Sequence, residues 1–209
     1  MTGMTRRAWM ATLGLAPLAG GLVAWAEERP GDQQRQWEAI EPRELIRRRH
    51  FPNVELITHQ RQKVRFYDDL IKDKKVVLNL MYVNCEGICM SVTANLVRVQ
   101  ELLRKYGRND VFFYSITIKP EEDTPEVLEE YANSHHVGPG WLFVTGTSAD
   151  IELIRHQLRF VDVDPAVDAN KSNHIGMVRY GNEPQVRWAA CPGQANPKHI
   201  ARTMLWDLG

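Results

Sequence analysis

Cysteine is scarce in this chain: only Cys85, Cys89 and Cys191 occur among 209 residues. So few thiols exclude a disulfide scaffold. Neither charge is in excess, with 26 Lys plus Arg against 26 Asp plus Glu, so the electrostatic footprint of a nucleic-acid-binding protein is missing. Internal repeats and low-complexity stretches are also lacking, and no acidic residue precedes Glu27.

That acid-free N-terminus has a pattern of its own. Arg6 and Arg7 are followed by Ala8 through Ala26, 19 residues without a charge that end in Ala24-Trp25-Ala26 before Glu27-Glu28. Residues 1–26 read as a bacterial signal peptide. Thr5-Arg6-Arg7-Ala8-Trp9-Met10 resembles the twin-arginine export signal, a receptor-read address that implies a passenger folded before export. An uncleaved anchor is the alternative, because such a run is close to the ~20 residues that span a bilayer; Gly14, Pro17, Gly20 and Gly21 weaken it. The expected location is the periplasm or the outer face of the bacterial inner membrane. Beyond residue 26 the chain holds 24 basic and 26 acidic residues, a net charge of -2, and is long enough for one domain with a single core.

Residues 27–50 are charged, lack apolar periodicity and carry Arg47-Arg48-Arg49, so they are expected to form an exposed lead-in to a domain over 51–209. Val54–Ile57 and Lys63–Phe66, separated by a polar turn, predict a hairpin. Val76–Tyr82 is nearly continuously apolar, which suits a strand covered on both faces. Val92, Leu96, Val99, Leu102, Leu103 and Tyr106 recur at helical spacing, and Gly107 is a C-terminal stop. A strand at Val111–Ile116 follows, then a helix opened by Asp123-Thr124-Pro125-Glu126, a strand at Trp141–Val144, a helix over Ala149–Phe160, a hairpin of Gly176–Tyr180 with Gln185–Trp188, and a closing helix over Pro197–Leu208. This order gives an α/β fold of the thioredoxin-like plan, a central mixed sheet flanked by helices with an N-terminal hairpin.

The chemistry concentrates at Cys85-Glu86-Gly87-Ile88-Cys89, directly after the apolar strand. Two sulfurs at this spacing can reach one metal ion or each other, so the motif is a soft-metal clamp or a redox pair, and spacing alone leaves both open. A helix starting near Cys89 aims its positive N-terminus at the pair, so at least one thiol is expected to have a lowered pKa, while Cys191 is not. Outside the cytoplasm the pair also needs a metal or a reductant to escape oxidation. In this topology the loop before the terminal hairpin approaches the cysteine loop, and it contains Lys171-Ser172-Asn173-His174. Two thiolates and the imidazole of His174 suit Cu(I), or Cu(II) with a further ligand. Zinc would accept them too, but a closed zinc site takes four protein ligands.

At these residues the chain resembles the Sco/SenC copper chaperones of respiratory oxidase assembly. The likeness runs from about Phe51 to Leu205. It is carried by Val-Leu-Asn-Leu-Met-Tyr before the cysteine motif, by Lys119-Pro120-Glu121-Glu122-Asp123-Thr124-Pro125-Glu126-Val127-Leu128, by Gly140-Trp141-Leu142-Phe143-Val144-Thr145-Gly146, and by Asn173-His174. The resemblance implies copper bound through Cys85, Cys89 and His174. It also implies delivery to the dinuclear copper centre of cytochrome c oxidase or another exported cuproenzyme, or reduction of that centre's thiols; the need to keep the pair itself reduced outside the cytoplasm adds a periplasmic thiol reductant as a further expected partner. The chain departs from the family where Met90 replaces the usual proline after the second cysteine and Lys119 replaces a frequent aspartate, making the site's surroundings more positive. Met90 is expected to pack rather than to add a weak thioether ligand, and Cys191 to be a buried small hydrophobe. His135 and His136 are adjacent and make a poor shared site. The competing activity is a thiol-disulfide oxidoreductase using Cys85 and Cys89, although thioredoxin enzymes use a tighter C-x-x-C; a peroxidase of the same fold is disfavoured by Tyr82, which stands where a threonine is needed.

Overall fold

The structure is a computed structural model that describes residues 41–85, 87, 89–170 and 176–209. The expected signal segment lies outside the described residues, and so does the segment from Lys171 to Ile175 that contains His174. No helix among the described residues is long and apolar enough to cross a membrane.

Among the described residues, seven strands form one mixed sheet in the order β2-β1-β5-β4-β3-β6-β7. They are β1 (Glu55–Thr58), β2 (Lys63–Arg65), β3 (Lys75–Met81), β4 (Val111–Thr117), β5 (Trp141–Thr145), β6 (Met177–Asn182) and β7 (Arg187–Pro192). The uninterrupted apolar character of β3 is explained by its place: every residue from Val76 to Met81 is buried, with β4 parallel on one side and β6 antiparallel on the other. Parallel pairing of β3, β4 and β5 requires crossovers, and α2 (Cys89–Lys105) and α3 (Pro125–Ser134) supply them. The strands β1 and β2 pair antiparallel in the register Leu56 to Val64, and β1 continues onto β5. This is the thioredoxin-like arrangement that the alternation of patterns predicts.

Local signals account for most boundaries. The Thr124 hydroxyl accepts from the amide of Val127 and caps α3, as Thr147 caps α4 (Ser148–Gln157) and Asn196 caps α6 (Pro197–Asp207). Helix α2 ends where Gly107 takes a φ of 77° and Arg108 N–H returns to Leu103 O at 2.9 Å, the stop expected of this glycine. Asn79 interrupts the apolar run of β3 without an energetic penalty at its oxygen, because Ser115 donates to its Oδ1 at 2.8 Å and Trp141 Nε1 donates to Ser115 at 2.9 Å.

Three details differ from the pattern-based reading. Phe66, read as the end of the second hairpin strand, instead opens a six-residue π-helical segment, Phe66–Ile71, that buries Phe66, Tyr67, Leu70 and Ile71. The helix expected to run to Phe160 stops at Gln157, and a short α5 (Pro165–Asp168) follows. Within the lead-in, Pro42–His50 forms α1, which keeps no residue fully buried. This helix escaped detection because, beside Ile46, which packs against the core, its main anchor is ionic: Arg43 Nε and Nη2 donate to both oxygens of Glu183, 140 residues away, at 2.7 and 2.5 Å. Tyr67 OH and the amide of Asp73 add donors at 2.8 Å each.

A candidate metal centre at the end of β3

The chain leaves β3 at Met81, turns through Val83 and Asn84 and re-enters helix at Cys89. Cys85 and Cys89 are 5% and 2% exposed, and neither is in a disulfide. The thiols are hydrogen-bonded neighbours with unequal environments. Burial pushes the Cys85 thiol up, but the Cys89 thiol, the amides of Cys89 and Gly87 and the Tyr82 hydroxyl together bring it below its ordinary value. Burial, and then the neighbouring Cys85 sulfur, push Cys89 well above its ordinary value. Of the two, Cys85 is therefore the thiol that loses its proton first, with the Cys89 thiol placed to hold the resulting thiolate. The Cys89 amide is the first of α2 and the Gly87 amide lies in the turn before it, so the helix N-terminus acts as its spacing predicts, on Cys85 in particular.

The loop is fastened from below by a carboxylate. Asp123 is 1% exposed; its oxygens accept from Val83 N–H at 3.3 and 3.2 Å and from the Thr117 hydroxyl at 2.5 Å. It thus joins the end of β4 to the turn that carries Cys85. Its partners are neutral, and burial raises its pKa despite their donation. Asp123 was missed because Asp-Thr-Pro reads as a helix cap; Thr124 is the cap, which frees the aspartate beside it to point inward. Lys119 adds a cation nearby, its Nζ 4.5 Å from the centre of the Tyr82 ring and 3.2 Å from Glu122.

The described residues place Cys85 and Cys89 together and leave His174 outside them. The structure does fix the exit of its loop: Gly193 N–H donates to Gly176 O at 2.7 Å, and a Cβ at Gly193 would stand 2.8 Å from Val92 in the first turn of α2. Asn95 of the same helix donates to the carbonyls of Gly193 and Ala195 at 2.7 Å each. Among the described residues there is no cluster of three His, Cys, Asp or Glu side chains able to hold a metal. Two sulfur donors, one of them favoured as thiolate, fit a soft monovalent ion better than a hard divalent one.

Two expectations need correction. Met90 does not pack: it is 59% exposed, because the 100° step from Cys89 turns it away from the face on which Cys89, Val92, Thr93 and Leu96 are buried. Cys191 is half-buried rather than buried; it lies opposite Val178 at the edge of the sheet and packs against the core. Burial pushes its thiol up to about 11, so it does not share the activation of Cys85. His135 stacks on Tyr131 at 4.1 Å, and His136 follows with a φ of 52°. His59 accepts the amide of Phe143 at 3.1 Å and is a satisfied core histidine.

Known proteins share this architecture. The fold is similar to a SCO1/SenC family lipoprotein from Bacillus anthracis, at 22% identity over 73% of this chain and 91% of that one with a TM-score of 0.61. It is also similar to yeast Sco1 with copper bound, at 19% identity over 73% and 84% with a TM-score of 0.60. In sequence, the chain is 31% identical over 97 residues to a SCO1 protein homolog of Bacillus subtilis, covering 46% of this chain and 50% of that relative. It is 28% identical over 110 residues to a SCO2-like protein of Rickettsia prowazekii, covering 53% and 52%. The chain thus spans about half the length of these two relatives. The profile of the SCO1/SenC family matches residues 48–203, which include the cysteine loop, the Asp123 clamp and the terminal hairpin, and the chain belongs to this family.

Proposed function

We propose that this protein is an exported copper-binding protein of the Sco type that supplies copper to the dinuclear centre of a cytochrome c oxidase or to another exported cuproenzyme, or keeps the thiols of that centre reduced. The observation that carries the reading is the unbridged, buried pair Cys85 and Cys89, with Cys85 held toward thiolate at the start of α2. Related proteins support it: copper is bound in Sco proteins of Arabidopsis thaliana, Bradyrhizobium japonicum and yeast, and BsSco is described as a member of the Sco family of cytochrome c oxidase assembly proteins with a disulfide switch. Cys85, Cys89 and His174 are the proposed ligands. Two sulfurs hold Cu(I) in a near-linear arrangement, whereas Cu(II) also needs a nitrogen donor.

Copper titration of the reduced protein tests this. One ion should bind per chain, Cys85→Ser and Cys89→Ser should each abolish tight binding, and His174→Ala should weaken Cu(II) more than Cu(I). Wild-type copper retention by Cys89→Ser would overturn the reading. Thiol-disulfide exchange is a second reading, favoured by the asymmetry of the pair: Cys85 would attack as thiolate and Cys89 would resolve. Its signature is catalytic turnover of a disulfide substrate by the metal-free protein. Export rests on Arg6-Arg7 and the uncharged run behind them. The double substitution Arg6→Lys, Arg7→Lys keeps the charge but removes the paired guanidinium groups, so the full-length precursor should accumulate in the cytoplasm; undiminished export would assign an ordinary secretory signal.

A further inference from the structure

On the sheet face away from α2, a cavity of about 130 Å³ lies between α1, the end of α4 and strands β3, β6 and β7. Its walls are Ile46, Phe51, Leu78, Leu158 and Trp188, and one cation, Arg179, projects into this apolar lining. Arg179 stands opposite Leu78 of β3 and Ala190 of β7. Its guanidinium lies 5.6 Å from the centre of the Phe160 ring, and among the described residues no carboxylate pairs with it. Of the acids that flank Phe160 in the chain, Asp168 and Glu152 pair with Arg155, at 2.6 and 2.9 Å. Burial and the like charge of Arg159 both act against the Arg179 cation. His50 also lines the cavity; its Nδ1 is 3.0 Å from Gln157 O, and its other ring nitrogen has no partner among the described residues.

A half-buried guanidinium without a counter-ion in an apolar recess favours an anion that brings its own apolar body. The recess is close in size to cavities of about 150 Å³ that accept a benzene molecule, and a guanidinium matches a carboxylate in two parallel hydrogen bonds. We propose that this cavity binds a small organic carboxylate, its ring-sized apolar body seated between Ile46, Leu158 and Trp188 and its carboxylate paired with Arg179. The site is separate from the cysteine pair and does not depend on copper.

Titration of the full-length, metal-free protein with benzoate, followed by amide chemical shifts, tests the proposal. Benzoate should saturate and shift the amides of Phe51 and Ala189. Benzyl alcohol, which lacks the charge, and sulfate, which lacks the apolar body, should each bind about tenfold or more weakly. Arg179→Gln should weaken benzoate by about tenfold or more, and Arg179→Lys by less, because it keeps the charge without the fork. Should Arg179→Gln fail to fold, Ile46→Phe fills the recess from the surface helix without touching the cation and should lower benzoate affinity. The proposal is overturned by an absence of saturable benzoate binding, by equal affinity for benzyl alcohol or sulfate, or by wild-type affinity in a folded Arg179→Gln or Ile46→Phe variant.

Discussion

Strand β3 is gripped by a buried carboxylate at each end, and the two carboxylates are treated in opposite ways. At the entrance, Glu183 is 4% exposed and holds Arg43 in a two-point pair, with Tyr67 and the Asp73 amide as further donors. Burial alone would raise its pKa, but these donors bring it below the ordinary value. At the exit, Asp123 has a hydroxyl and an amide as its hydrogen-bond partners among the described residues, and its pKa stays raised. The entrance is a compensated structural clamp. The exit leaves a carboxylate poorly compensated beneath the cysteine turn, which is the arrangement expected where a local cost is accepted for placement of a reactive group.

The largest effect should come from breaking the entrance. Glu183→Ala leaves Arg43 with the exposed Asp73 as its partner, strands two further donors and should cost about 3 kcal/mol, the low end for a broken buried pair because Arg43 keeps that contact and partial access to water. Urea denaturation measures it, and a loss below about 1 kcal/mol would place this contact among ordinary surface pairs. Asp123→Ala should cost about 2 kcal/mol, from two orphaned donors. Unlike the entrance variant, it should also slow alkylation of Cys85 at neutral pH, because the turn that aligns the Cys89 and Gly87 amides is no longer fastened; an unchanged rate would remove Asp123 from the site.

A smaller effect lies in the pH dependence, where the two carboxylates have opposite signs. The depressed pKa of Glu183 contributes stability that is present above its ordinary 4.5 and is lost as pH falls through the lower folded value. The raised pKa of Asp123 means that the folded state takes up its proton first, so stability relative to Asp123→Asn rises as pH falls from the folded value toward 3.8. Denaturation series for wild type, Glu183→Gln and Asp123→Asn over this acid range should diverge in opposite directions; parallel curves would contradict the comparison. The smallest change is expected for Lys119→Ala, which removes a partly exposed cation from the Tyr82 face and should cost about 0.5–1 kcal/mol. Its measurable partner is a modest slowing of Cys85 alkylation through a freer Tyr82.

The fold was legible wherever one local pattern served one local purpose. The run through Val76–Met81 announced a central strand, the spacing of Val92, Leu96, Val99 and Leu103 announced α2, and Gly107 marked its stop. At the site, the cysteine pair and the helix behind it were legible for the same reason. Asp123, Arg179 and the bond from Arg43 to Glu183 were not, because a polar residue in sequence carries no mark of the distant group that satisfies it. Met90 shows the complementary failure: hydrophobic character suggested packing, whereas its angular position on α2 set its exposure.

The order of the strands also bears on when the thiols gain shelter. Strand β3 carries the cysteine turn at its end, yet its neighbours come late: β4 is complete at Thr117, β6 at Asn182, and the Gly193 contact against α2 later still. Pairings over such sequence separations form slowly and need most of the chain present. Cys85 and Cys89 therefore stay unsheltered until β6 and the Gly193 contact have formed, and the redox poise of the compartment in which those contacts form decides whether the native fold closes over two thiols or over a disulfide.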